Sequence, residues 1–567
     1  MKELVKQKYV QMILGVIVLI TPFLNYLFNN LNTYRFLSIY GFCISSVLLL
    51  ISVSPKRGNS SINRADILLF ALIGIFLLSA SYGASSVSIL FYLKWLLFVG
   101  LFLIAKSLNS NQFRGIENFI ILSGLLQAVF PFLQLLGVIH PLNPNFIATG
   151  LFLNPNYTAI YITISLVLVV GRIISNDRRG LNCLFCLILS GAILILRCRG
   201  ALLAIVSSLI IFALYSDRFK RLSLNAKRFS LTFLSIVFVG VAFALYHFGS
   251  KSADSRILIW RASSEIVKEN PWFGAGGESF KTKYMFAQAE YLANNPQSKY
   301  RVIADNNYQS YNEFVRVLCE QGLIGLFVMI TLVVILFKQS KRVVDRALIV
   351  SIVVSSCFIY TFDILPYLFL LPLIISRTEN ETDKVLNNRY YRSATISLSV
   401  VLFLITIISH IGYSKSINSL RSGKMILERS MEYEIVCKDK DLARYYANVS
   451  KSVNSTDYNM RLFERIITKN ISTSEMVCDF ATMHYSVGNK ELAEKYYRYS
   501  VDMIPGKIRA KEKLLDFYIN TKQSQKAKDV AEEILNSEYK IVGSKVLSVK
   551  EKARNYIESS SPFVGGF

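Results

Sequence analysis

Residues Ser255–Phe280 read SRILIWRASSEIVKENPWFGAGGESF, and Tyr311–Gly325 read YNEFVRVLCEQGLIG. They hold two of the chain's three tryptophans, Trp260 and Trp272, a Gly-Ala-Gly-Gly run, and a mixture of arginines and carboxylates that no lipid-facing span tolerates. The sequence on either side is apolar and helical in pattern. That contrast sets the fold class: an all-α, polytopic membrane protein whose chemistry is expected in one polar loop near 250–317.

Outward from this loop, apolar runs long enough to span a bilayer recur near 10–28, 36–53, 66–82, 88–105, 117–138, 157–175, 182–198, 201–215 and 230–249, then near 318–337, 343–360, 363–376 and 393–412. About 12–13 spans are therefore expected. Basic residues gather at every second loop: Lys2, Lys6 and Lys8; Lys56, Arg57 and Arg64; Lys106 and Arg114; Arg178 and Arg179; Arg218, Lys220 and Arg221; Lys338, Lys341 and Arg342; Arg389 and Arg392. Cytoplasmic loops carry such excess, so the N-terminus is expected inside and residues 413–567 outside. The opening MKELVKQKY has the charge of a signal peptide but no small-residue cleavage site follows, and it reads as the flank of a first span that is retained. The chain is 53% hydrophobic with a formal charge of +25, and because that charge sits in short loops it argues against nucleic acid as a partner.

The eight cysteines are scattered. Cys183 and Cys186 form a CxxC inside NCLFCLILS, where they read as packing residues and not as metal ligands. Cys437 and Cys478 are able to pair only if their region is extracytoplasmic and their positions meet.

After 412 charge and tyrosine replace the aliphatic runs, which divides the chain into a transmembrane domain, 1–412, and a C-terminal helical domain, 413–567. In GNKELAEKYYRYSVDMIP, Gly488, Ala493, Tyr497 and Pro505 match the second half of a tetratricopeptide repeat, and Ala527 follows Ala493 at the 34-residue period. RLFERIITKN, 461–470, is expected in a degenerate earlier repeat. Such arrays bind partner proteins on a concave face or serve only to dock and stabilise, and both readings stay open for 413–567.

Candidate functional residues come from the expected outer loops. Arg197 and Arg199 lie at the end of an apolar run beside Gly200, where a guanidinium fork suits phosphate oxygens; interfacial snorkelling is the alternative, preferred for Arg197. Arg256 and Arg261 are five apart on a helix and do not share a face cleanly. Trp260, one turn from Arg256, would stack on a sugar ring or on the membrane surface. Pro271 stops this helix, and the following glycines, Gly276 among them, permit a turn and the close approach of backbone amides to a phosphate. Residues 281–310, rich in tyrosine and amides, read as a mobile loop over the site.

These blocks together resemble the O-antigen ligase and O-antigen polymerase family, whose signature is an Arg, a Trp four residues on, then Pro-x-x-Gly-x-Gly: here Arg256, Trp260, Pro271, Gly274 and Gly276. The family's second block is His-Asn, nine residues, Gly, two residues, Gly, and here Tyr311-Asn312 precede Gly322 and Gly325 at that spacing. GLFLNPNYTAIYI, from Gly150 through Asn154 and Asn156, resembles its Gly-x-x-x-Asn-x-Asn block, and Cys198-Arg199-Gly200 resembles its Ser-Arg-Gly. The resemblance covers about residues 10–380. It implies a membrane glycosyltransferase of the all-helical GT-C-like class in the bacterial inner membrane. The donor would be an undecaprenyl-diphosphate-linked glycan, moved en bloc without metal or cofactor to an acceptor hydroxyl of a glycan, a lipid or an envelope protein on the outer side. By the same resemblance Arg199 and Arg256 would clamp the diphosphate, with Trp260, Arg261 and Gly276 beside them.

The departure is at Tyr311, which stands where the family has the histidine taken as the base. A tyrosine of ordinary pKa, about 10, is a poor base at neutral pH. Glu313, next to Tyr311 and Asn312, is the first candidate to replace it; Glu320, Asp305, Glu278 and Asp254 follow, and His140 and His247 serve only if the fold brings them in. Within the family reading the acceptor separates ligase, polymerase and protein O-glycosyltransferase. A lipid-linked-glycan transporter, which should carry mid-membrane charges, and an inactive scaffold are the readings from other classes.

Overall fold

The computed structural model describes residues 2–27, 33–52, 61–83, 87–247, 250–377, 384–385 and 388–560. Each of the thirteen apolar runs is a helix. They are α1 (Lys2–Leu27), α2 (Thr33–Ser52), α3 (Arg64–Tyr82), α4 (Ile89–Lys106), α5 (Ser110–Leu135), α6 (Pro155–Ile174), α7 (Arg179–Leu196), α8 (Arg199–Leu214) and, after the short α9 (Asp217–Lys220), α10 (Leu224–His247). Two polar helices follow, α11 (Ser250–Glu269) and α12 (Ser279–Asn294). The apolar series resumes with α13 (Glu313–Gln339), α14 (Val343–Ser356), α15 (Leu365–Ile375) and α16 (Asn388–Arg421). Lys56 and Arg57, two of the orienting charges, lie outside the described residues.

Helix starts follow local chemistry. Asn63 and Asn109 form reciprocal capping boxes with Asp66 and Gln112, and Asn154 caps α6 ahead of Pro155 at its first position. Among the described residues nine helices are long and apolar enough to cross a membrane: α2 to α7, α10, α13 and α16. This is a multi-pass membrane protein. Helices α8, α14 and α15 are shorter than the full spans expected for them. An 11-residue helix such as α15 covers about 16 Å, roughly half the hydrocarbon core. For α14 and α15 the reason is the break between them, where a turn at Thr361–Asp363 places irregular backbone and a carboxylate. Such backbone is tolerated because protein covers it: Thr361 is fully buried.

The bundle core is a continuous apolar cluster that includes Leu48, Phe98, Phe102, Ile164 and Leu368. None of α10 is buried, as befits a helix wetted by lipid. At one end of the bundle Glu117 takes three arginines, Arg172 at 3.7 Å, Arg342 at 2.8 Å, and Arg377. A two-residue antiparallel pair, Ser61–Ile62 with Lys384–Val385, is the only sheet among the described residues.

At the other end α16 runs out of the bundle into eight further helices: α17 (Met431–Lys438), α18 (Lys440–Val453), α19 (Thr456–Lys469), α20 (Ser474–Ser486), α21 (Lys490–Met503), α22 (Ile508–Asn520), α23 (Ser524–Asn536) and α24 (Ser544–Ser560). Helices α18, α20 and α22 begin 34 residues apart, and so do α19, α21 and α23. This is a helical-repeat array. Ala493 and Ala527 are fully buried where paired helices approach, and RLFERIITKN lies in α19, in register with the later repeats. Cys437 and Cys478 are both buried and free, in separate apolar clusters, so they are not a disulfide.

The segment 281–310 differs from the mobile loop expected of it. It opens with α12, whose Phe280, Tyr284 and Met285 are fully buried in a cluster shared with α11 and with Tyr413, Leu462 and Ile466 of the C-terminal half. Gln288 donates to the Met503 carbonyl at 2.6 Å and Thr282 to that of Asn470 at 2.6 Å. Its aromatic residues are apolar payload for a partner 150 or more positions away in sequence, which a local reading does not see.

Candidate functional site

The two signature blocks fasten to each other. Gly322 breaks α13 with φ 67°, and the turn after Pro271 docks into that break. Leu323 and Ile324 donate to the carbonyls of Pro271 and Trp272, while Ala275 and Gly276 donate to those of Cys319 and Glu320, all within 3.2 Å. A Cβ on Gly322 would lie 2.3 Å from the Trp272 oxygen, and one on Gly276 2.2 Å from Gly83 Cα. The glycines are there for backbone-to-backbone approach. Their amides, Gly277's bond to Ser79 included, are spent on carbonyls, so the run does not cradle a phosphate as the sequence suggested. Trp272 and Phe273 project from the turn, 63% and 64% exposed.

This clasp sets the start of α13. Asn312 accepts from the amides of Phe314 at 2.9 Å and Val315 at 3.2 Å, which makes it the helix cap. Tyr311, one residue before, takes φ 49°, a conformation that a non-glycine residue adopts only when its surroundings hold it. The Trp260 indole helps to hold it by donating to the Ser310 carbonyl at 3.0 Å. Trp260 therefore pins the loop to α11, with its polar edge already engaged.

Arg256 stands over the Tyr311 ring at 5.6 Å and the Phe358 ring at 5.9 Å. Among the described residues no carboxylate comes within ion-pair distance of it. Burial lowers its pKa, and the charge of Arg199 pushes the same way. Arg199, at the first turn of α8, donates to the Leu245 carbonyl at 3.1 Å. Arg199 thus lies near Arg256, and for Arg256, which stands on aromatic rings, a suitable complement is an anion. Arg261 is exposed and covers Tyr300 at 5.4 Å, on another face of α11; Arg197 is exposed at the end of α7.

Next to Tyr311 opens a polar cavity of about 460 Å³. The capping residues of five helices line it: Ser88 of α4, Asn154 of α6, Glu278 of α12, Ile364 of α15 and Asp439 of α18. Helix N-termini carry partial positive charge, and Lys94, Lys281, Lys438 and Lys440 add to it. Tyr308, Tyr311 and Tyr360 supply ring faces, with Tyr311 and Tyr360 edge to face at 5.5 Å. Four carboxylates, Glu278, Asp363, Asp439 and Asp441, line it beside the four lysines, so the cavity suits a polar, ring-bearing group.

The carboxylates of the cavity differ in their partners. Asp363 bonds Lys94 at 3.0 Å and Arg316 at 2.9 Å. Glu278 is paired with Lys281, which together with Lys94 keeps it low against the effect of burial. Glu313 is 0% exposed, paired with Arg316 and accepting from the Phe362 amide at 3.2 Å; it faces an apolar cavity within the bundle and not the polar one. It therefore has no route to an acceptor hydroxyl in the polar cavity. Asp254 meets Lys299, Asp305 meets Lys540, and neither they nor His140, His247 or Glu320 line the polar cavity. Burial raises the Tyr311 phenol, which keeps it protonated and unfit as a base.

Sequence reasoning missed Lys94, Asp363, Lys440 and Asp439. Lys94 and Asp363 had a signal, a charge inside or beside an apolar run, which is expensive without a partner. The other two come from the repeat region, where nothing local marks them.

Residues 184–330 match the family model of O-antigen ligase. This part of the chain is similar to the O-antigen ligase family. The match contains all eight expected site residues, Arg199, Arg256, Trp260, Arg261, Gly276, Tyr311, Asn312 and Glu313, and supports a ligase-type transfer of a lipid-linked glycan. It is narrower than the 10–380 covered by the motif resemblance. No curated protein matches the chain. Among solved structures a likeness is found to the anaphase-promoting-complex hetero-tetramer Cut9–Hcn1, at 11% identity over 92% of this chain and 85% of that one, with a TM-score of 0.19, too low to bear on residues 184–330.

Proposed function

We propose that the protein transfers an undecaprenyl-diphosphate-linked oligo- or polysaccharide en bloc to an acceptor hydroxyl on the outer side of the bacterial inner membrane. Residues 1–412 are the transferase and 413–567 a helical-repeat domain on the same outer side. The observation that carries this reading is Arg256: half-buried against two aromatic rings, close to Arg199, and lacking an ion-paired carboxylate among the described residues. A diphosphate leaving group supplies the absent charge, and the two guanidiniums stabilise it as the bond to the anomeric carbon lengthens. The acceptor attacks from the cavity, where Tyr311 orients it by its ring face and hydroxyl, giving inversion. Orientation follows from charge: Arg172, Arg342 and Arg377 gather at the end opposite the cavity, the cytoplasmic side by the positive-inside rule.

The test is transfer from a purified lipid-linked glycan to lipid A core, to a glycan repeat unit and to envelope protein, by protein reconstituted in vesicles. Arg256→Ala and Arg199→Ala should each lower transfer by about 100-fold or more while yield and melting temperature in detergent stay as in the parent protein. Full activity in both variants overturns the diphosphate reading.

A further inference from the structure

The repeat region reaches the cavity itself. Lys438, Asp439, Lys440 and Asp441, at the junction of α17 and α18, form one wall opposite Tyr308 and Tyr311, and Lys440 Nζ lies 5.2 Å from the Tyr308 ring centre. Asp439 Oδ1 caps α18, accepting from the amides of Asp441 and Leu442 at 3.0 Å each. Its other oxygen accepts from the Tyr413 hydroxyl at 3.3 Å, which also meets Ser88 Oγ at 2.6 Å. Among the described residues Asp439 has no ion pair, in contrast to Glu278 and Asp363 across the cavity.

We propose that Asp439, from the C-terminal repeat region, is the carboxylate that takes the acceptor's proton during glycan transfer, so that the catalytic cavity is complete only when this region is docked. The inference rests on the transferase reading above. In the step, the acceptor oxygen forms its bond to the anomeric carbon and its proton passes to Asp439 Oδ2. The bond from that carbon to the diphosphate oxygen breaks with its electron pair, and the charge so formed remains with Arg256 and Arg199. Burial, with the Asp441 carboxylate beside it, pushes Asp439 up to about 6, against the amides it accepts from and Lys440. A base with that value is ionised at neutral pH yet still basic enough to be useful. The titratable groups facing it are Tyr413 from α16, Lys438, Lys440 and Asp441 from its own turn, and Glu278 and Lys281 from α12.

The experiment measures vesicle transfer rates from pH 5 to 8 for the parent protein, Asp439→Asn, Asp439→Ser, Glu313→Gln and Arg256→Ala. Asn and Ser both cap helices, so α18 keeps its start in either variant. The expected result is an acid limb with a midpoint near 6 in the parent, and a loss of about 100-fold or more with that limb abolished in both Asp439 variants. Asp439 variants that retain the parent rate and limb overturn the assignment. So does a reduced rate on an unchanged pH profile, which marks a structural part only, or transfer of the limb's disappearance to Glu313→Gln. If Arg256→Ala is inactive while Asp439→Asn is normal, only this inference falls; if Arg256→Ala is fully active, the transferase reading falls with it.

Discussion

Arginines at the two ends of the bundle do opposite things. At the end away from the cavity, Glu117 sits amid Arg172, Arg342 and Arg377, and Asp345 meets Arg342 at 3.4 Å and Arg377 at 3.7 Å. At the cavity end Arg256 stands over Tyr311 with Arg199 near it, and Arg256 has aromatic rings but no described carboxylate within ion-pair distance. The residue type is the same. What separates a structural arginine from a ligand-binding one is whether the fold supplies the counter-charge or leaves it to the substrate.

The sharpest way to break this comparison is to remove a charge at each end. Arg256→Ala is expected to cost about 10²–10³ in transfer and nothing measurable in melting temperature. Glu117→Ala removes a carboxylate shared by three arginines, of which Arg342 and Arg377 keep Asp345, and should destabilise the fold by about 3 kcal/mol with transfer per folded molecule unchanged. Thermal melts and vesicle transfer on the same preparations read both. A Glu117 variant that melts normally, or an Arg256 variant that fails to fold, removes the distinction.

The glycine clasp provides the next test. Gly322→Ala places a Cβ 2.3 Å from the Trp272 oxygen at a positive φ, and about 2–3 kcal/mol of destabilisation is expected from the strain and the displaced turn. Transfer should fall too, because the clasp sets the start of α13 and thereby Tyr311. Asn312→Ala removes only the cap, at about 1 kcal/mol, and Asn312→Asp should restore it. Equal losses for Ala and Asp, read by melting temperature, would mean that Asn312 touches substrate instead of holding the helix.

Much of this was legible in the sequence, and the limits have physical causes. Every apolar run became a helix because hydrophobic length is a local property, and the repeat period of α18 to α23 could be read from small residues at fixed spacing. The signature glycines were recognised, but their purpose was not: Gly276 and Gly322 lie 46 positions apart, and a phosphate cradle and a backbone clasp demand the same residue type. Glu313 looked available from its place beside Tyr311. Its pairing with Arg316 is a local contact one helical turn away, but the Phe362 amide that it accepts from belongs to a turn 49 residues on, and no periodicity announces that. Asp439 lay in a region whose pattern spoke only of helices packing on helices.

Asp439 also extends the comparison to a carboxylate. Its pKa near 6 in the fold exceeds the ordinary value of about 3.9, so the folded protein binds this proton more tightly than the unfolded chain does. Stability from this group is therefore present below about pH 4 and is lost as pH rises through 6, with no further change above. The carboxylate is half-buried, which reduces the effect to about 1 kcal/mol. Measured against pH, the melting temperature of Asp439→Asn relative to the parent should be higher at pH 7 than at pH 5, since the amide does not ionise. A constant difference would place Asp439 with Glu117, a carboxylate that the fold satisfies. The expected slope instead marks a charge kept at a cost in stability, which persists where function needs it.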